Sequence, residues 1–255
     1  MKTKSNLILA AALIACGAVS ASAAIQQTQT PQNENTYSRL NLSYDLTTFK
    51  ANDEIPGYFG PDEDSRKLNG FGVEYLYGVQ LTKSIPFYGE LGLRFHMGFW
   101  NNEEYTRILN NSYKETSKMQ YMTIAMPINF GYRIEFTDQL SLQPYVGINL
   151  KFNVMARTKT TYDEAYFKDF KEYGIHKYDD AYDWISYLSD KKEGGMGSTD
   201  NTWEIFQVGW HAGLGFNLGD LYLGVNYGTD FIPVFNYKKA HVNTSTLNVT
   251  LGFNI

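Results

Sequence analysis

Over the last ten residues of the chain, apolar and polar positions alternate without a break. Leu247, Val249, Leu251, Phe253 and Ile255 are apolar, and Thr246, Asn248, Thr250, Gly252 and Asn254 between them are polar or small. A strand turns successive side chains to opposite faces, whereas a helix groups apolar positions three and four apart. This segment is therefore expected to be a strand with one apolar face.

The same period of two recurs seven more times. In 37–49, Leu40, Leu42, Tyr44 and Leu46 face one way, and Arg39, Asn41, Ser43 and Asp45 the other. In 69–82 the apolar side is Phe71, Val73, Tyr75, Tyr77 and Val79. In 86–100, Leu91, Leu93, Phe95 and Met97 oppose Glu90, Gly92, Arg94 and His96. In 119–136, Met122 to Ile134 alternate with Thr123, Asn129, Gly131, Arg133 and Glu135. Segments 140–157, 203–218 and 221–231 repeat the pattern. A soluble β-sandwich would also alternate. Two features favour a barrel in a membrane instead. Charges stand in mid-strand on the face opposite the apolar one. Connections also alternate in length: 83–85, 137–139 and 219–220 are short, while 50–68, 101–118 and 158–202 are long, with 236–240 the short exception. Short turns at one end and long loops at the other mark outer-membrane barrels. The fold expected is all-β: an eight-stranded antiparallel up-and-down transmembrane β-barrel with short periplasmic turns and longer extracellular loops.

The turns fix a register. Gly219-Asp220 suits a two-residue type II′ turn and pairs Leu218 with Leu221. A turn centred on Ser84 pairs Leu81 with Phe87 and sets Glu74 opposite Arg94. Both turns keep apolar residues on one face, as correct registers must.

Eight strands enclose a lumen that side chains can fill. Arg39, Arg94, Arg133 and Lys151 face inward, as do Asp45, Glu74, Glu90 and Glu135. Lone buried charges are costly, so these should pair into a polar network that plugs the barrel; a gated ion or proton path is the alternative. His96 and His211 also point inward. With no HExxH and no cysteine ligand, they read as packed polar residues, with no metal, catalytic group or cofactor. The 158–202 loop is rich in aromatics and acids, and Asp163–Tyr173 and Asp179–Leu188 have helical spacing. Tyr166, Phe170, Tyr173, Tyr182 and Trp184 are its candidate binding surface for an extracellular protein or glycan. A lid that packs its own aromatics over the barrel mouth is the other reading.

Composition agrees with a barrel wall. Of 255 residues, 16% are aromatic, and there are 22 Gly. Lys2 and Lys4, the apolar run from Leu7, and Ala21-Ser22-Ala23 form a signal peptide over 1–23. Leu13-Ile14-Ala15-Cys16-Gly17 also has lipobox form, which leaves acylation at Cys16 open. Residues 24–36 are a polar, flexible leader, and 37–255 are the barrel. The net charge of −5 argues against nucleic acid as a partner.

The run Met126-Pro127-Ile128-Asn129-Phe130-Gly131-Tyr132-Arg133 resembles the outer-membrane β-barrel domain families called porin-like or PorT-like, and more distantly OmpA/OmpX-type barrels. So do Pro144-Tyr145-Val146-Gly147, the hairpin from Gly213 to Tyr227, and Leu251-Gly252-Phe253. The resemblance covers 37–255. It implies an outer-membrane location, with membrane lipids and the assembly machinery as partners. Such barrels often end on an aromatic residue, whereas this chain ends Phe253-Asn254-Ile255. The function expected is a non-enzymatic structural, adhesive or surface-binding protein. A narrow or gated channel and a lipid A-modifying enzyme are the alternatives.

Overall fold

The structure, a computed structural model, describes residues 36–59, 63–108, 111–175, 184–188 and 203–255. The expected signal peptide, Cys16, nearly all of the leader, and Tyr182 lie outside the described residues.

The chain forms β1 (Thr36–Ala51), β2 (Ser65–Gln80), β3 (Phe87–Ile108), β4 (Asn111–Tyr132), β5 (Ile134–Thr137) and β6 (Leu140–Tyr162). A short helix α1 (Glu164–Asp169) and a 3-10 turn (Lys171–Tyr173) follow, then β7 (Ile185–Ser186), β8 (Phe206–Leu218), β9 (Leu221–Asp230), β10 (Phe235–Tyr237) and β11 (Ala240–Asn254). Eight of the strands close a ring in the order β1-β2-β3-β4-β6-β8-β9-β11, and β11 returns antiparallel to β1 from Arg39↔Asn254 to Ala51↔Val242. Closure leaves no sheet edge within the ring, which a wall in hydrocarbon requires.

Both expected turn registers are present. Leu218 pairs with Leu221 across Gly219-Asp220, with Gly219 at φ 57°. Leu81 donates its amide to the Phe87 carbonyl at 2.8 Å, and Glu74 lies opposite Arg94. The outward face is apolar and open. Leu93 is 62% exposed and Val146 60%, and Tyr44, Phe130, Leu223, Val249 and Phe253 continue the belt round the ring. In water such a belt would be a severe liability; in lipid it is the solvated surface.

Three features of the wall depart from plain alternation. A β-bulge at Val154 shifts the β4–β6 register from Thr123↔Asn153 to Met122↔Met155. Beyond it, Ala156 faces the lumen and Arg157 faces out, as a bulge's extra residue dictates. Pro127, which has no amide hydrogen, interrupts the β3–β4 ladder between Leu91↔Ile128 and Arg94↔Ala125. The expected long loop over 101–118 is instead a continuation of β3 and β4, paired out to Ile108↔Asn111 and flanked by β6 as far as Glu115↔Tyr162. A three-stranded sheet therefore stands beyond the ring on the long-loop side. At about 3.4 Å per residue, it projects by roughly 25 Å.

Candidate functional site

The lumen is closed in layers. Nearest the short turns, Glu90 is 2% exposed and accepts from Arg39 at 2.9 Å, Asn129 at 2.8 Å, Gln143 at 3.0 Å and the Tyr37 hydroxyl. The Arg39 guanidinium lies over the Tyr222 ring at 3.7 Å, and Arg133 lies over the rings of Tyr37 and Tyr88. Small residues make room for these rings. A Cβ on Gly78 would stand 2.4 Å from Tyr37, one on Gly213 2.4 Å from Tyr145, and one on Gly215 2.4 Å from Tyr222.

The next layer centres on Asp45. Arg94 donates to it at 2.6 Å, His96 Nδ1 lies 2.6 Å from its other oxygen, and Ser43 donates at 2.8 Å. Arg94 lies 3.9 Å from Glu74, which accepts instead from Asn41 at 2.7 Å. The cross-strand pairing of Glu74 and Arg94 is thus correct, but the short contact of Arg94 is with Asp45. Lys151 pairs with Asp230 at 2.5 Å. His211 Nε2 meets Asn129 Oδ1 at 2.6 Å. A polar cavity of about 60 Å³, bounded by Arg94, His96, Lys151, His211 and Asp230 among others, separates the layers. It has room for a few waters.

At the long-loop end the inward face turns apolar. Phe49, Leu68, Met119, Tyr121, Ala156 and Val242 from the wall meet Phe59, Trp203, Val234 and Phe235 from the loops. Tyr187 stacks on Trp203 with centroids 4.5 Å apart, and Trp203 Nε1 donates to the Tyr58 hydroxyl at 3.0 Å. Burial pushes the Tyr58 hydroxyl up to about 12. An apolar cluster, the stopper, thus lies at the outer mouth above the polar layers.

The projecting sheet carries its own cap. Asp163 accepts from the Tyr166 amide at 3.1 Å and so caps α1. Tyr166 stacks on Tyr162 at 4.3 Å and packs against Tyr113 and Phe170, while the Tyr113 hydroxyl donates to Asp169 at 2.8 Å. The helical spacing read over 163–173 is realised as α1 and the 3-10 turn.

The inferred network residues Arg39, Asp45, Glu74, Glu90, Arg94 and Lys151 lie together in the lumen, with Arg133 on its short-turn rim. Glu135 does not join them: it is exposed on β5, because the wall ends there and its register shifts between Glu135 and Thr137. In the loop set, Tyr166 is buried in the aromatic cap and is no contact surface, whereas Tyr173 is 76% exposed. Trp184 lies over the Arg157 guanidinium at 4.5 Å. Ile185–Ser186 is a strand on β6, where helical spacing was expected, because it pairs with Arg157 and Thr158. Asp230, Tyr37, Gln143 and Asn129 were not foreseen as network members. Asp230 lies at the end of its strand, and the others are neutral residues that a census of charges passes over.

A model described as an outer membrane protein beta-barrel domain matches residues 9–181. No curated protein matches the chain. Among solved structures, Ail, the attachment invasion locus protein of Yersinia pestis, in complex with the heparin analogue sucrose octasulfate, is 13% identical. The match covers 87% of this chain and 99% of that one, with TM-score 0.44. Neisserial surface protein A is 10% identical over 85% of this chain and 97% of that one, TM-score 0.39. OprG of Pseudomonas aeruginosa is 10% identical over 87% and 97%, TM-score 0.35. With the family match spanning more than half its length and the ring closed with its apolar face outward, the chain belongs to the outer membrane protein β-barrel domain family and resides in the outer membrane.

Proposed function

We propose that this barrel is a non-conducting surface protein with a structural or adhesive role, and that its extracellular sheet and loops bind a protein or glycan. One contrast carries the proposal. The lumen is filled by a salt-bridged layer and an apolar stopper, while the opposite investment, a folded sheet with an aromatic cap, stands outside the membrane. The β3 edge of that sheet has no partner past Phe99 among the described residues, and Tyr105 on it is 75% exposed. Exposed aromatics with carboxylates nearby suit both protein and glycan contacts. On this reading the remaining partners are membrane lipids along the apolar belt and the assembly machinery at the C-terminal strand.

A narrow channel would need the Glu90 layer and the Trp203 stopper to open together. Among the described residues, an enzyme reading would invoke His96, which lies between Asp45 and the Thr47 hydroxyl, 3.3 Å from its Nε2. All three are buried in the lumen, out of reach of a lipid substrate. The test uses cells displaying the full chain or a variant whose residues 103–116 are replaced by Asn-Gly. Both are exposed to a glycan array and to immobilised extracellular-matrix proteins. Binding by the full chain that the shortened variant loses, while staying heat-modifiable, supports the reading. Identical profiles for both would remove it.

A further inference from the structure

Past the barrel rim, β3 has a strand beside it on one side only among the described residues. Its register with β2 ends at Asn69↔Phe99, whereas its register with β4 runs on from Trp100↔Met119 to Ile108↔Asn111. The turn below fixes which way its main chain points. Leu81, just after β2, donates to the Phe87 carbonyl, and an antiparallel strand aims its amide and carbonyl groups to alternate sides, residue by residue. Phe87 and every second residue after it, Tyr105 and Arg107 included, therefore aim these groups away from β4. No described strand pairs with Tyr105 or Arg107 on that side. Native sheets blunt such edges with proline, lysine or a bulge. Residues 100–108 contain no proline and no lysine, and their register with β4 has no bulge.

Glu103, Tyr105 and Arg107 share one face of this edge, two residues apart, and all three are exposed. The run is its own complement when read backwards about Tyr105. An antiparallel second copy centred there sets Tyr105 opposite Tyr105, Glu103 opposite Arg107, and Arg107 opposite Glu103. Aromatic pairs and opposite charges directly across from each other stabilise antiparallel strands. Tyr105 forms the hydrogen-bonded kind of pair, exchanging two main-chain bonds with its copy. Glu103 keeps its 2.8 Å pair with Lys114. It takes Arg107 of the second copy as a further donor, since a carboxylate offers about four lone-pair sites. The neighbouring registers are poorer. Centring on Glu103, Glu104 or Arg107 sets like charges face to face, and centring on Thr106 forms no ion pair.

We propose that β3 pairs edge to edge with β3 of a second copy in a facing membrane, in a two-fold contact centred on Tyr105. The proposal rests on the adhesive reading above and names its partner. Two copies in one membrane are related by an axis along the membrane normal, so their β3 strands rise together and cannot pair antiparallel. Copies in facing membranes are related by an axis parallel to both, which gives antiparallel strands and a self-complementary contact. Tyr105 stands six residues past Phe99, where the apolar face of β3 ends. At about 3.4 Å per residue and a strand tilt of about 40°, that is roughly 15 Å along the normal. The contact therefore holds the two hydrocarbon surfaces about 30 Å apart. One pair of strands binds weakly, and many pairs across the same two membranes add in avidity.

The test is tethering of phosphatidylcholine vesicles that carry the full-length protein, read by light scattering and by energy transfer between two dye-labelled populations. Parent vesicles should tether one another and leave protein-free vesicles apart. E103R and R107E each put like charges across both outer pairs of the contact. Each should weaken pairing by on the order of tenfold, enough to abolish tethering between vesicles of the same variant. E103R vesicles mixed with R107E vesicles regain opposite charges at both pairs and should tether. So should vesicles of the double variant E103R/R107E alone, whose net charge is the parent's, so that its rescue separates register from bulk attraction. Electron cryomicroscopy of tethered parent vesicles should show the bilayer separation given above. Heat-modifiable gel mobility checks that each variant is folded. Parent vesicles that stay apart, tethering of protein-free vesicles, or a folded double variant that fails to tether would each overturn the proposal. Glycan or matrix binding that still needs residues 103–116 would then leave the adhesive reading standing without the second-copy contact.

Discussion

Replacing Glu90 with alanine removes the acceptor at the centre of the inner layer. Arg39, 1% exposed, then keeps its charge in the lumen with no carboxylate at hydrogen-bond distance. Asn129, Gln143 and Tyr37 lose the acceptor they share. Each hydrogen bond to a charged group contributes about 1.5–3 kcal/mol, but the four share one carboxylate and do not add. Breaking a buried pair from one side costs about 3–5 kcal/mol, and that is the loss expected for E90A. Removing both charges should restore part of it, since an isolated buried guanidinium is the main penalty. The double variant E90A/R39M should therefore be at least ~2 kcal/mol more stable than the two single losses summed. The assay is urea unfolding in detergent micelles, reading the folded fraction on unboiled gels and by tryptophan fluorescence. Additivity within ~0.5 kcal/mol would show that the two residues act independently. The inner layer would then be a set of separate contacts and no closure.

Further predictions concern the wall and the stopper. V225R places a charge on the lipid face at mid-strand in β9, and should cost about 2–4 kcal/mol of folding free energy in bilayers by denaturant titration. W203A removes the ring that joins Phe49, Tyr121 and Tyr187. It should cost about 3–5 kcal/mol and should make the 203–205 and 231–234 segments more readily cleaved by protease added to intact cells than they are in the parent. The raised ionisation of Tyr58 sets an alkaline limit. Its contribution to stability is complete below pH 10, the value in the unfolded chain, and is lost as pH rises through about 12, because the unfolded chain releases the proton first. Tyrosinate absorbance with Y58F as control should show one titration step moved to about pH 12; a step at pH 10 would contradict burial of that hydroxyl.

The wall was legible in the sequence because lipid and lumen impose opposite chemistries on alternate residues, so Leu40, Leu42 and Tyr44 or Leu247, Val249 and Leu251 declare their face one by one. The two turns with Gly219-Asp220 and Ser84 then fixed register. That legibility stopped where the two faces met the same solvent. Along 101–118 and 158–162, both faces of the sheet are largely polar, so continued strands look like loops. The Val154 bulge leaves no mark either, because Phe152, Val154 and the residues after it read equally well in unbroken alternation. Within the lumen, the charges were found by parity, but their partners were not. Glu90 is held by Tyr37, Asn129 and Gln143 as well as by Arg39, and Lys151 by a residue at the end of another strand. Glu135 had the right parity and the wrong height. The stopper was hidden because Phe49, Leu68 and Met119 sit on the face that is mostly polar or small below them.

Single-channel recording in planar bilayers tests the closed lumen most directly. With the Glu90 layer and the Trp203 stopper both in place, the purified full-length barrel should give no steady conductance above the bare membrane at any moderate voltage. A stable, ohmic open level in most insertions would mean that a continuous water path runs past both layers, and a channel would replace the surface-binding account.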